Sequence, residues 1–159
     1  MIIIGIDPGT AETGVGIISV ASGPKLVFHA CITTPKTDFP ETRLNQIFQR
    51  LTDIIKTHKP HILAMENLFF ANNAKTVIAV GQAMGISMLA AAQANIPVFK
   101  YSPLQVKRLI TGDGKAQKKD LQEKVRKILR LKTVPRPQHA ADALAVAICH
   151  SLQGHPLRS

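Results

Sequence analysis

Short apolar runs alternate along this chain with longer segments in which apolar residues recur at helical spacing. Residues 2–7 form a nearly continuous apolar run, which is typical of a buried central strand. Residues 14–20 and 26–33 are two further runs of strand length, and the turn-forming residues between the three runs predict an antiparallel meander. Residues 61–66 and 96–101 predict a fourth and a fifth strand.

Helical spacing or helix punctuation marks five other segments. Apolar side chains at three- and four-residue intervals predict the first helix, and Pro103 after Ser102 suits the first turn of a later one. The order β-β-β-α-β-α-β-α-α-α predicts an α/β fold with a five-stranded mixed sheet, three strands antiparallel and then two parallel, and helices on both faces. The predicted helices cover residues 41–57 and 73–94, a segment that opens at Ser102, and residues 117–130 and 138–152.

Composition places the chain among globular proteins. Its 159 residues, 45% of them hydrophobic, fit a single domain over residues 1–159, of which we expect residues 154–159 to be flexible. We expect no membrane span, because no uncharged apolar stretch of about 18 residues occurs. The start lacks the basic region of a signal peptide, and Cys31 and Cys149 lie among apolar residues. Both features favour reduced thiols and a cytoplasmic location.

Positive charge is concentrated in one segment. The formal net charge is +10, and residues 100–136 hold twelve Lys or Arg against three carboxylates, a net of +9. A basic segment of this kind indicates a polyanionic partner such as nucleic acid. A solvated helix face would explain the same pattern without any partner.

Three of the ten carboxylates stand in apolar surroundings. Asp7 and Glu66 each end an apolar strand, and Asp142 lies within an alanine-rich helix. Burying an ionised carboxylate is costly unless it is paired or binds a metal. His139 precedes Asp142 by three residues and therefore shares a helix face with it. If the first and fourth strands are parallel neighbours, all four side chains can converge at one edge of the sheet.

Such a cluster favours divalent cations. Mutual repulsion among the carboxylates would be severe in a low-dielectric cleft unless cations lay between them. Oxygen ligands, waters and substrate phosphate suit Mg²⁺, and two ions can stabilise both the attacking and the leaving oxygen of a phosphoryl displacement. Each residue taken alone has an ordinary structural explanation, as a turn former, a helix cap or a hydrogen-bonded acid.

Four motifs occur in order along nearly the whole chain: Gly5-Ile6-Asp7-Pro8-Gly9-Thr10, Glu66-Asn67-Leu68-Phe69, Gly81-Gln82-Ala83-Met84-Gly85 and Ala140-Ala141-Asp142-Ala143-Leu144-Ala145. Together they resemble the motifs of the RuvC family of Holliday-junction resolvases. The resemblance implies an RNase H-like fold, a homodimer, two Mg²⁺ ions per active site with Mn²⁺ able to substitute, and Asp7, Glu66, His139 and Asp142 as catalytic metal ligands. It further implies paired symmetric nicks in strands of like polarity at a four-way DNA junction, and partnership with the RuvA-RuvB branch-migration complex.

His139 departs from the commoner pattern, since many family members have Asp at this position and others have His. A neutral imidazole removes one negative charge from the site, and imidazole suits Mn²⁺ better than Mg²⁺. We therefore expect a stronger preference for Mn²⁺ than in an all-carboxylate site. Because imidazole binds metal only when unprotonated, activity should fall in mildly acidic solution.

The resemblance also implies DNA-binding residues. It places Phe69, and second to it Phe70, against an unpaired base, although two core aromatic residues would be the ordinary alternative. Lys107 and Lys118 match family lysines near the scissile phosphate. Arg108, Lys115 and Lys119 are additional candidates by their proximity in sequence.

Two other functions and one question of packing remain open from the residues alone. Gly5 to Thr10 also resembles the first phosphate loop of sugar kinases and actin-like ATPases, although the chain has room for one such domain and shows no second phosphate loop. The other alternative function is that of a basic protein that recognises DNA junctions without cutting them. Gly81 and Gly85, four residues apart, serve either close packing within the chain or a subunit interface.

Overall fold

Within residues 1–67 and 74–153, which the computed structural model describes apart from the side chains of 74–76, the chain forms five strands and five helices. The strands are β1 (Ile2–Asp7), β2 (Glu12–Ser19), β3 (Lys25–Thr33), β4 (Ile62–Glu66) and β5 (Val98–Tyr101). The helices are α1 (Pro40–His58), α2 (Ala74–Gln93), α3 (Pro103–Thr111), α4 (Lys118–Ile128) and α5 (Gln138–Gln153).

The strands form one mixed sheet in the order β3-β2-β1-β4-β5. β1 pairs antiparallel with β2, and β2 pairs antiparallel with β3. On its other edge β1 pairs parallel with β4, which in turn pairs parallel with β5. The predicted α/β class, the mixed five-stranded sheet and the parallel pairing of the first and fourth strands are thus confirmed.

Helices cover both faces of the sheet because successive side chains of each strand point to opposite sides. Ile4 and Ile6 of β1 pack with apolar side chains of α1 and α2. Ile3, on the opposite face, belongs to the apolar cluster that contains α3, α4 and α5. Odd-numbered residues of β1 and even-numbered residues of β2 and β4 therefore face α5.

Element bounds differ from the sequence-based ones at two informative places. β2 begins at Glu12, two residues before the predicted start, because its pairing with β3 extends to Thr33. β5 begins at Val98 rather than at residue 96, since the Ile96 amide donates to the carbonyl of Ala91 at the end of α2. The expected flexibility of residues 154–159 concerns residues outside the described ranges.

The exposed face of α2 bears on the question left open by its glycines. A Cβ on Gly85 would have no atom within 4 Å, so close packing within the chain does not require this glycine. Ile78 and Leu89 are exposed on the same helix. Throughout the described part of the chain, the helices are all too short or too polar to cross a lipid bilayer.

Candidate active site

Asp7 and Glu66 leave the sheet side by side. The parallel register aligns Ile6 with Met65, so the next residue of each strand is an acid at the same edge. Both side chains lie on the face that α5 covers. They line a cleft of about 320 Å³ together with His139 and Asp142. The four residues predicted to form the site thus converge on one cleft.

Glycines let α5 lie directly on the strands that carry the acids. A Cβ on Gly14 would stand 1.9 Å from the backbone oxygen of His139, and one on Gly5 would stand 2.0 Å from that of Ala143. No side chain fits at such distances, so the backbones of strand and helix are in contact. This close approach brings His139 and Asp142, both in the first turns of α5, to the end of β1.

Asp7, His139 and Asp142 form the tight part of the cluster. Asp7 Oδ2 lies 2.7 Å from His139 Nδ1. Each of the three residues offers one ligand atom, and these atoms all lie within 4.8 Å of one another. Glu66 lies outside this set among the described residues but lines the same cleft.

Burial and like charge make ionisation costly in this cleft. Burial is the main cause that raises the pKa of Glu66 to about 7, and the charges of Asp7 and Asp142 raise it further. Burial also raises the pKa of Asp7, against which the hydrogen bond from His139 acts. Shifts of this kind, produced by desolvation together with specific charged neighbours, are characteristic of functional sites.

The donor set suits a divalent cation. Two carboxylates and one imidazole nitrogen within mutual reach match the oxygen-rich chemistry of Mg²⁺ and Mn²⁺, with a nitrogen that favours the latter. The ammonium of Lys118 supplies some of the positive charge that these acids need, since its Nζ lies 2.6 Å from Asp142 Oδ2. Asp142 is buried, with 8% of its surface exposed, so it needs a positive partner.

Two of the predicted DNA-binding cations lie at the cleft. Lys107 on α3 and Lys118 at the start of α4 both line it, beside an apolar wall that includes Val106 and Leu121. Ser102 caps α3 by accepting a hydrogen bond from the Gln105 amide, which fixes the helix that carries Lys107.

The other candidate DNA-binding residues are not in the cleft. Arg108 and Lys115 line a separate surface groove of about 400 Å³ with Asp113, and Lys119 is exposed on α4. Phe69 and Phe70 lie outside the described residues, so their proposed contact with a base stays a prediction.

Glu12 is a neighbour of the site that sequence reasoning missed. Its Oε2 lies 3.2 Å from Nε2 of His139. Residues 12 and 14 share a strand face. The two-residue spacing between Glu12 and Gly14 places both residues on the face of β2 that contacts α5. This spacing is informative only when β2 is known to begin at Glu12.

Comparison with known proteins identifies relatives over nearly the whole chain. The family model described as crossover junction endodeoxyribonuclease RuvC matches residues 3–150. A curated protein of that name from Desulforamulus reducens is 50% identical over 153 residues, which cover 95% of this chain and 93% of the relative. The Thermotoga maritima protein of the same name is 47% identical over 158 residues, covering 98% and 94%.

Solved structures agree with the sequence relatives. A structure described as Thermus thermophilus RuvC in complex with Holliday junction substrate superposes with a TM-score of 0.92 at 35% identity, covering 96% of this chain and 94% of that one. A yeast mitochondrial Holliday junction resolvase, Ydc2, shares the fold with a TM-score of 0.67 at 13% identity, covering 92% and 76%.

An RNase H-like sheet with acids at the ends of β1 and β4, completed by acid and imidazole from α5, defines a class of metal-dependent nucleases. Within that class, the chain belongs to the RuvC family of crossover junction endodeoxyribonucleases. The predicted family is therefore confirmed, and membership removes the kinase-like ATPase alternative.

Proposed function

We propose that this chain resolves Holliday junctions in recombination and repair by metal-dependent, symmetric nicks in two DNA strands of like polarity. The observation that carries the proposal is the cleft in which Asp7, His139 and Asp142 converge beside Lys107 and Lys118. A cation site next to lysine ammonium groups is suited to a phosphodiester. The Thermus thermophilus relative was solved with a Holliday junction substrate, which supports the same substrate class for this chain.

Asp7, Glu66, His139 and Asp142 would hold two Mg²⁺ ions, for which Mn²⁺ would substitute. When bound, the ions supply positive charge for the transferring phosphoryl group and lower the pKa of a bound water. Asp7 is the central acid, because it contacts His139 and its pKa responds to the charge of Asp142. Burial raises the pKa of Glu66 to about 7, so a cation bound beside it would favour its ionised form.

The basic residues of the proposed site have separate tasks. Lys107 and Lys118 would contact the phosphates nearest the cleft. Arg108, Lys115 and Lys119 would extend the electrostatic track along the backbone, where each neutralised phosphate contributes to salt-dependent affinity. Phe69, with Phe70 second, would stack on a base at the crossover; this part of the proposal rests on the family resemblance alone.

A second copy of the chain would complete the enzyme, because paired nicks need two active sites. The exposed apolar side chains of α2, with Gly85 offering room between them, support this helix as the contact surface.

We further propose that the homodimer works with the RuvA-RuvB branch-migration complex. The location would be the cytoplasm, where the free thiols of Cys31 and Cys149 would stay reduced. All of residues 1–159 would act as one nuclease domain.

Junction cleavage tests the proposal directly. A synthetic four-way junction should be nicked symmetrically with Mg²⁺ or Mn²⁺ and remain intact without metal. Asp7→Asn should abolish nicking while retaining junction binding. Asp53→Asn, which changes an exposed acid on α1 across the sheet, should cleave like the wild type. Junction binding without any metal-dependent nick would favour the alternative of a recognition protein that does not cut.

A further inference from the structure

The ring of His139 lies between two carboxylates, of which only one belongs to the proposed metal site. Nδ1 faces Asp7 Oδ2 at 2.7 Å, and Nε2 faces Glu12 Oε2 at 3.2 Å. Asp7 is a proposed metal ligand on β1, whereas Glu12 lies on β2, outside the set of mutually close ligand atoms found among the described residues. The two nitrogens of the ring thus have different surroundings.

The fold fixes this arrangement. Gly14 contacts the backbone of His139, so the start of α5 is pressed against β2. Glu12 precedes Gly14 by two residues and therefore points to the same face of the sheet. The β2 register with β3 extends to Glu12 itself, which holds the backbone of this residue in the sheet. The proximity of Glu12 to Nε2 consequently follows from two backbone constraints.

A neutral imidazole carries its proton on one nitrogen only, and the choice decides whether it can bind a cation beside Asp7. With the proton on Nδ1, the ring donates to Asp7 and offers no lone pair on the cleft side. With the proton on Nε2, the ring donates to Glu12 and Nδ1 is free to bind metal. Without metal, the closer carboxylate of Asp7 favours the proton on Nδ1. A cation that binds Nδ1 displaces this proton, and the ring then carries its proton on Nε2, where the negative charge of Glu12 stabilises it.

We propose that Glu12 is a positioning residue that holds the Nε2 proton of His139, so that Nδ1 faces the cation site as a neutral ligand. A carboxylate that accepts from the outer nitrogen of a metal-bound histidine is a general feature of such sites, and its loss weakens metal affinity by about 10- to 100-fold. The inference rests on the proposed function, because it assumes that His139 binds the metal.

Mn²⁺ titration of the purified full-length protein, without DNA, tests this role. Glu12→Ala should weaken Mn²⁺ binding by about tenfold or more. Glu12→Gln, which keeps an oxygen acceptor for the Nε2 proton, should recover a large part of the affinity. Asp53→Ala removes an exposed acid on α1, across the sheet, and should bind Mn²⁺ like the wild type, which controls for net charge.

The ¹⁵N shifts of the His139 ring supply a readout that a merely structural role would not change. At a pH where the ring is neutral, the metal-free wild type should show the proton on Nδ1, and saturating Mg²⁺ should move it to Nε2. Glu12→Ala should need a higher Mg²⁺ concentration for the same change. Unchanged Mn²⁺ affinity in Glu12→Ala, or a proton that stays on Nδ1 in the wild type at saturating Mg²⁺, would overturn the assignment.

Two further variants separate failure of this inference from failure of the proposed function. Asp7→Asn and His139→Ala should both weaken Mn²⁺ binding. If they do and Glu12→Ala does not, only the role of Glu12 is wrong. If none of the three affects Mn²⁺ binding, the proposed metal site itself is wrong, and the role of Glu12 is wrong with it.

Discussion

Lys118 Nζ lies 2.6 Å from Asp142 Oδ2, so the first residue of α4 forms an ion pair with the buried acid of α5. About half of the Lys118 side chain is exposed, so water can solvate the ammonium once another cation replaces it at Asp142. A divalent cation and Lys118 would compete for the same carboxylate oxygen. Cation binding would therefore release Lys118 toward a DNA phosphate, which links metal occupancy to the DNA-binding surface.

Lys118→Ala should separate these two roles. Junction cleavage should fall, and the log–log slope of junction affinity against salt should decrease by about 0.9, because one phosphate is no longer neutralised. Mn²⁺ affinity without DNA should be unchanged or higher, because Asp142 no longer has its competing partner. Salt-dependent binding assays and Mn²⁺ titration measure the two effects. Lys56→Ala on α1 is the matched control, and an unchanged salt slope would place Lys118 off the phosphate track.

Stability of the metal-free protein should fall as pH rises between about 4.5 and 7, and Glu66 is the reason. Its pKa is raised by burial from 4.5 in the unfolded chain to about 7 in the fold. Between these values the folded protein keeps a proton that the unfolded chain has lost, so a rise in pH favours unfolding. The loss should reach the order of 3 kcal/mol at most.

Urea denaturation at several pH values measures this effect. Glu66→Gln cannot ionise and should flatten the dependence, whereas Asp53→Asn should leave it as in the wild type. Saturating Mn²⁺ should also flatten it, because a cation stabilises the ionised carboxylate. An equally steep pH dependence in Glu66→Gln would show that Glu66 is not its source.

The strands, the helices and the acids at the strand ends could be predicted from the sequence, because all of them depend on local patterns. The apolar run before Asp7 and the one before Glu66 each predict a buried strand whose end carries an acid. Their parallel pairing brings the two acids together, and helical spacing joins His139 to Asp142. These inferences need only the periods of strand and helix.

What escaped prediction depends on contacts between elements. The pair Lys118–Asp142 joins two helices whose relative placement no local pattern determines. Glu12 escaped because the start of β2 was predicted two residues too late, which left this acid in a turn. The structural role of Gly14 likewise becomes visible only when α5 is seen against β2.

Gly14→Ala should be strongly destabilising and should disturb the site. Its Cβ would stand 1.9 Å from the backbone of His139, so β2 and α5 would have to separate. Overpacking of this kind costs about 1–3 kcal/mol, and contact with backbone places this variant at the upper end. Gly85→Ala on α2 meets no atom and should instead raise monomer stability by about 0.5–1 kcal/mol. Urea denaturation measures the free energy of unfolding of both variants. Equal values for the two variants would contradict the close approach of β2 and α5.

Leu89→Glu should weaken the proposed homodimer without unfolding the chain. Leu89 is exposed on α2, so a charge there costs little in the monomer but would be buried in an interface between two copies. Val27→Glu, an equally exposed apolar position on β3, is the matched control. Sedimentation at micromolar concentration should show a dimer for the wild type and for the control. A dimer of unchanged affinity in Leu89→Glu would place the interface elsewhere.

His139→Asp should shift the metal preference toward Mg²⁺. Imidazole nitrogen suits Mn²⁺ better than Mg²⁺, and replacing it with a carboxylate gives an all-oxygen site with one more negative charge. The ratio of junction cleavage rates in Mn²⁺ and Mg²⁺, each at saturation, should fall by roughly tenfold, which corresponds to about 1.4 kcal/mol of barrier difference between the two metals. His139→Asn supplies an oxygen without the charge and so distinguishes donor type from charge. A ratio unchanged in both variants would mean that His139 does not contact the metal that acts in cleavage.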